Sequence, residues 1–161
     1  AWVEENFSST DGVHTVEDLR AEYQKMLYQN NLNTAVMDYL LANSTFKDLP
    51  KEVTDYQVNQ CLNYYYTMAQ YYGYDLDSFL QAAAGYNSAD DLLDAMSDSI
   101  TEYAREALLY QAVAEAMDIA PTQEQIDTYS AYTETYGANY CTMVALMDAV
   151  SAALTTGAQV K

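Results

Sequence analysis

Apolar positions recur along this chain in alternating steps of three and four, the period of one face of an α-helix. The first such run is Leu19, Tyr23, Met26, Asn30, Asn33, Met37 and Leu40, a heptad-like seam interrupted by two amides. Thr10, Asp11 and Thr15 offer starts for this helix, and Thr15 with Asp18 forms a box-like cap. The helix is predicted to reach about Ala42, where Asn43-Ser44 break it. Pro50 suits the first position of a second helix, because its missing N–H costs nothing there. That helix carries two apolar rows, Val58, Leu62, Tyr65, Ala69, Tyr72 and Cys61, Tyr64, Met68, Tyr71, and Gly73 stops it.

Asp75 caps a short helix ending at Gly85, with Leu76, Phe79 and Leu80 facing inward. Ser88 with Asp91 opens the next long helix, whose seam is Met96, Ile100, Tyr103, Ala107, Tyr110, Ala114 and Met117. Ile119-Ala120-Pro121 ends it. Thr122 with Gln125 is a capping box for a fifth helix to about Tyr136. After Gly137 a last helix places Tyr140, Met143, Met147, Val150 and Leu154 at three–four spacing. The expectation is an all-α fold of about six helices, three of them long, in a single domain over residues 1–161. The long helices exceed what a compact globule needs, so an open, elongated arrangement of helical hairpins is expected. The low count of turn formers, five Gly and two Pro, agrees with long helices and few connections.

Charge narrows the partners. Six Lys and Arg stand against 24 Asp and Glu, a net charge of −18. Nucleic-acid binding depends on cations neutralising phosphates, so no nucleic-acid partner is expected, and anionic membrane surfaces are disfavoured for the same reason. No apolar run approaches the length of a spanning helix, so no membrane insertion by this chain is expected. With 50% hydrophobic residues the chain has material for a core despite its charge. It opens Ala1-Trp2-Val3 without Met or a basic leader, which reads as a cut or mature form, so a targeting segment would not be visible.

Several chemistries are ruled out by inventory. His14 is the only histidine, which removes two-imidazole zinc sites, and there is no Gly-rich phosphate loop, Gly-x-Ser-x-Gly elbow or CxxC pair. Asp75-x-Asp77 opens like a calcium loop, but Phe79 occupies the third ligand position and Tyr86 the twelfth. Asp90, Asp94, Asp98, Glu102 and Glu106 recur at every fourth residue and wind around the helix, a solvated face. No catalytic residue, metal or cofactor is assigned. Cys61 and Cys141 do not make a disulfide framework, and whether they join is open at this point.

The oddest feature is 17 Tyr against three Phe and one Trp. Tyr64-Tyr65-Tyr66 lie about 100° apart on consecutive helical positions, so they cannot all face one core. A phenol offers apolar area with a polar tip, and Met adds pliable apolar surface. The ordinary role of any one seam Tyr or Met is core packing. Contact with a client is assigned to Tyr65, Tyr66, Met68, Tyr72, Tyr74, Met143 and Met147, and among the rings it is favoured at Tyr65, Tyr66, Tyr72 and Tyr74 over Tyr103 or Tyr110.

The order of these signals resembles the C-terminal, substrate-binding domain of bacterial trigger factor. The resemblance runs from Asn6-Phe7 and Thr15-Val16-Glu17-Asp18-Leu19-Arg20 through Leu40-Leu41-Ala42-Asn43-Ser44-Thr45-Phe46 and Leu49-Pro50. It continues through Gly73-Tyr74-Asp75-Leu76-Asp77-Ser78-Phe79-Leu80, Gly85 and Ser88-Asp90-Asp91-Leu92. Ala112-Val113-Ala114-Glu115-Ala116-Met117-Asp118-Ile119, Thr122-Gln123-Glu124-Gln125-Ile126, Tyr136-Gly137 and Val160-Lys161 complete it. SurA-type chaperones share the architecture. The resemblance implies an ATP-independent chaperone module that holds unfolded or nascent polypeptides in an aromatic cradle, without enzyme activity in this chain. The family's ribosome-binding and FKBP-type peptidyl-prolyl isomerase domains lie upstream of this segment. The scarcity of Lys and Arg and the wealth of Tyr, Asn and Thr depart from the family. The family implies a cytoplasmic location, whereas the composition suggests a cell-surface or exported relative. The alternative is a structural, adaptor or dimerisation module whose cradle is filled by a partner domain or by a homodimer mate.

Overall fold

A computed structural model describes residues 2–7 and 12–157 of the chain. Thr10 and Asp11, offered above as helix starts, and Val160-Lys161 lie outside the described residues. The fold is all-α, with no strand among the described residues. Nine α-helices follow one another there: α1 (Trp2–Phe7), α2 (Val16–Asn43), α3 (Lys51–Tyr71), α4 (Leu76–Phe79), α5 (Ala89–Ala95), α6 (Ser97–Met117), α7 (Gln123–Asp127), α8 (Thr133–Tyr136) and α9 (Ala138–Gly157). A π-turn, Leu80–Ala84, follows α4, and a 3₁₀ turn, Ser130–Tyr132, precedes α8.

The helix starts form as the local chemistry dictates. Asp18 Oδ2 accepts from the Thr15 N–H at 2.8 Å, while Thr15 Oγ1 accepts from the Asp18 N–H at 3.1 Å. Asp75 Oδ1 accepts from the Ser78 N–H at 2.9 Å and Ser88 Oγ from the Asp91 N–H at 3.1 Å. Thr122 and Gln125 close a reciprocal box, at 3.3 Å and 2.8 Å. Each satisfies donors that the first turn leaves without an intrahelical partner. Pro50 sits one position earlier than expected, as the residue just outside α3, and its carbonyl accepts from Val53 at 3.1 Å. Gly73 and Gly85 take φ of 76° and 80°, the left-handed backbone that lets the chain turn sharply after α3 and after the π-turn.

Three elements depart from expectation. The chain forms an additional short helix, α1. The long helix opened by Ser88 is interrupted at Met96, where φ −94° and ψ 1° leave the helical well, although hydrogen bonds from Met96 N to Leu92 O and from Ile100 N to Met96 O, both 2.9 Å, join the halves. The helix expected from Thr122 to Tyr136 divides into α7, the 3₁₀ turn and α8. Residues 128–136 are mainly Thr, Tyr and Ser, which lose rotamer freedom in a helix or compete for its backbone bonds.

The contacts group the chain into two compact units, one of Asn43–Asp118 and one of Ala1–Ala42 with Ile119–Lys161. In the first, α3 pairs chiefly with α6, and α4 and α5 pack beside them. Its core holds Ala69, Phe79, Leu80, Leu92, Ile100, Ala104, Leu109, Tyr110 and Ala114. Leu80 and Leu92 are fully covered, which is worth about 1.5–3 kcal/mol for a side chain of that type. Leu109 lies off the predicted seam of α6. It is buried because the segment from Ser44 to Pro50 covers that side of the helix, with the Arg105 guanidinium 5.8 Å from the centre of the Phe46 ring.

In the second unit α9 packs on α7, the 3₁₀ turn and α8. Val3, Val13, Met37, Cys141, Ala145 and Val150 are buried there. The Cys141 thiol donates to the Tyr129 carbonyl at 3.2 Å and acts as a small core residue. Both cysteines are free thiols. The predicted α2 seam is buried only at Met37. Every residue of α2 from Arg20 to Asn31 is exposed, including Tyr23 and Met26, because two amides interrupt the row and leave its first half without an apolar stripe wide enough to dock.

Candidate functional site

Three consecutive tyrosines on α3 point three ways. Tyr64 and Tyr66 stand in solvent, 61% and 51% exposed, while Tyr65 folds under. Its ring meets Tyr64 edge-on at 5.3 Å and Tyr86 edge-on at 6.0 Å. Burial, followed by the hydrogen bond with Tyr86, pushes the Tyr65 phenol above its ordinary value, so this ring stays neutral.

Beside this trio a groove of about 390 Å³ opens between α3 and α6. Cys61 and Ile100 contribute to its lining, Met96 closes it at the α5–α6 break, and Tyr64, the candidate Tyr65 and Tyr103 line it. Gln57 and Gln60 supply amides along one side. Tyr103, expected to be less available than Tyr65, Tyr66, Tyr72 and Tyr74, is 55% exposed, whereas Tyr110, placed with it in that expectation, is buried. The physical reason is local. Ala104 is the residue that fits flush against the core, so the larger phenol one position earlier extends past the packed face. Burial raises the Cys61 thiol above its ordinary value, which keeps it protonated and unreactive at neutral pH.

A second aromatic cluster sits where α3 ends. Tyr72 stacks on buried Phe79 with ring centres 6.1 Å apart and planes 9° apart, and Tyr74 tilts against the same ring at 6.5 Å. Tyr71 meets Tyr72 edge-on at 5.1 Å. Tyr72 and Tyr74 are therefore brought together on Phe79 and remain exposed. Met68 is half-buried on α3. Met143 and Met147 are half-buried on α9, in the other unit. Tyr64 and Tyr103, which line the groove, are not among the candidate contact residues. Their signal was present in the sequence, as an aromatic residue on each of two facing helices, but it needs the pairing of α3 with α6 to be read.

These surfaces present aromatic area to solvent. Eleven of the 17 tyrosines are exposed. Phenols give large contact area with few rotatable bonds and a hydroxyl that stays wet. Among the described residues no three His, Cys, Asp or Glu side chains converge as metal ligands, and no helix is long and apolar enough to cross a membrane.

Residues 15–153 match the family model of the bacterial trigger factor protein C-terminus. The chain belongs to the trigger factor C-terminal family. Trigger factors of Streptococcus pyogenes serotype M5 (strain Manfredo) and serotype M49 (strain NZ131) are each 25% identical to it over 124 residues, covering 73% of this chain and 29% of the relative. The trigger factor of serotype M4 (strain MGAS10750) is likewise 25% identical over 124 residues, 27% of its length. The chain thus spans under a third of the length of the curated relatives it matches. No solved structure matches it. Membership supports a chaperone-type role in general, and the trigger factor C-terminal module is a chaperone module rather than a catalytic one.

Proposed function

We propose that this chain holds unfolded or nascent polypeptides, without ATP, on its exposed aromatic and methionine side chains. The observation that carries the reading is the groove between α3 and α6, apolar in its lining and open to solvent, with Tyr64 and Tyr103 exposed beside it. A client segment laid there covers ring faces while phenol hydroxyls and the Gln57 and Gln60 amides remain for its backbone. Such contacts are not tied to one sequence and release by simple dissociation. Tyr65, Tyr66, Met68, Tyr72 and Tyr74 extend the same surface along α3 and beyond, and Met143 and Met147 offer a separate one. The charge of −18 favours basic clients and opposes self-association.

The test is suppression of aggregation of a reduced, unfolded model client by the chain at substoichiometric to equimolar amounts. Protection, with binding of a dye for apolar surface to the folded protein, is the expected result. A stable dimer with no effect on the client overturns the proposal and assigns the rings to a partner's surface, as in an adaptor module.

A further inference from the structure

We infer that a polar pocket between α2 and α9 takes an alkylammonium or guanidinium head, because its lining is rich in hydrogen-bond acceptors and holds no cation. The pocket, of about 400 Å³, lies within the unit of residues 1–42 and 119–161. Gln29 and Asn33 enter from α2, one turn apart, and Asp148, Thr155 and Thr156 from α9. Asn33, which lines the pocket, carries a buried Oδ1 with no hydrogen-bond partner. A buried acceptor without a donor is costly to keep and invites an explanation.

The remaining oxygens agree. The Thr155 hydroxyl donates to the Ser151 carbonyl at 2.8 Å and the Thr156 hydroxyl to the Ala152 carbonyl at 2.7 Å. A hydroxyl has one proton, so what these two still offer is lone pairs. The Asp148 carboxylate accepts from the Tyr129 hydroxyl, which fixes its direction and leaves its charge uncompensated by any lysine or arginine of the lining.

Other ligand classes fit less well. An anion meets a carboxylate and no positive group. A calcium-type ion wants six to eight oxygens and several carboxylates, and here the single carboxylate is already hydrogen-bonded. An apolar group would leave the Asn33 oxygen without a donor. A head with several N–H donors and one positive charge satisfies Asn33, Asp148 and the threonine oxygens together.

Two sources supply that chemistry, a Lys or Arg side chain of a bound polypeptide and a free polyamine. The first rests on the holding function proposed above and the second does not. The experiment follows the side-chain amide signals of Gln29 and Asn33 by NMR in the 161-residue chain. One arm titrates spermidine, the other a short flexible Gly-Ser peptide carrying a single Arg, with a citrulline peptide as neutral control. Saturable movement of both amide signals by either cation is expected. Tighter binding of spermidine names the polyamine as the source, and tighter binding of the peptide names a client side chain. Asp148→Asn keeps an acceptor for Tyr129 and should weaken binding about tenfold or more, the loss of a charge-assisted contact. Asn33→Leu should weaken it without removing charge, and serves if the first variant fails to fold. Equal binding of the citrulline peptide, or unchanged affinity in the folded variants, or no movement of the amide signals, overturns the assignment. Aggregation suppression through the groove of the other unit is read separately, so loss of one reading leaves the other standing.

Discussion

Replacing Tyr64 and Tyr103 together by Ala separates contact with clients from stability. Their rings are 61% and 55% exposed, so the folded protein gains little from them. Full cover of a tyrosine removes about 200 Å² from water, which leaves about 120 Å² per ring for a client to cover. At about 25 cal/mol per Å² that is about 3 kcal/mol per ring. Ordering of the client and imperfect closure consume most of this, and about 1 kcal/mol per ring survives. The double variant should therefore bind a labelled, reduced, unfolded client about 30-fold more weakly by fluorescence anisotropy. Its unfolding free energy should stay within about 0.5 kcal/mol of the parent for each exposed substitution, followed by circular dichroism in urea. Tyr110→Ala supplies the opposite pattern, because that ring is only 8% exposed in the same helix. It should cost about 3–5 kcal/mol of stability. Unchanged client affinity in the Tyr64/Tyr103 double variant, with its fold intact, would refute the reasoning.

Leu80→Ala removes a fully covered side chain at the π-turn and should destabilise the protein by about 2–5 kcal/mol in urea denaturation. The Asp75 carboxyl is held below its ordinary value of 3.8, first by the backbone N–H of Ser78 and then by its hydroxyl. Its contribution is present above 3.8 and is lost as pH falls through the lower folded value, so the stability advantage of the parent over Asp75→Ala should shrink on acidification. A pH-independent difference between the two would contradict that account. Tyr129 is pushed from 10.0 up to about 12, chiefly by its hydrogen bond to Asp148. That contribution is complete below pH 10 and is lost as pH rises toward about 12, so tyrosinate absorbance should reveal a late-titrating phenol that moves earlier in Asp148→Ala, while the raised Tyr65 phenol is unaffected.

Short-range chemistry was the legible part of this chain. The pairs Thr15 with Asp18, Ser88 with Asp91 and Thr122 with Gln125 each form a cap from residues three apart, where nothing distant intervenes. Phe79 and Leu80 were placed inward correctly for the same reason. What failed needed tertiary knowledge. Leu109 is buried by a segment some sixty residues earlier in the chain, and no helical phase reports that. Tyr103 sits within the predicted seam yet projects, because exposure depends on how closely its small neighbour Ala104 lets α6 approach the core. Among the candidate contact residues, Tyr72 and Tyr74 meet on Phe79 as a cluster, whereas Tyr65 lines a groove together with Tyr64 and Tyr103. Periodicity finds the row, and the facing helix decides which member of it reaches water.

The exposed half of α2 has an evolutionary consequence. From Arg20 to Tyr28, short of the pocket residue Gln29, every side chain is exposed. Substitutions there are filtered by helix propensity and by what the protein touches, with almost no veto from packing. Among kindred chains this stretch is expected to drift fastest in residue identity while keeping its helical period.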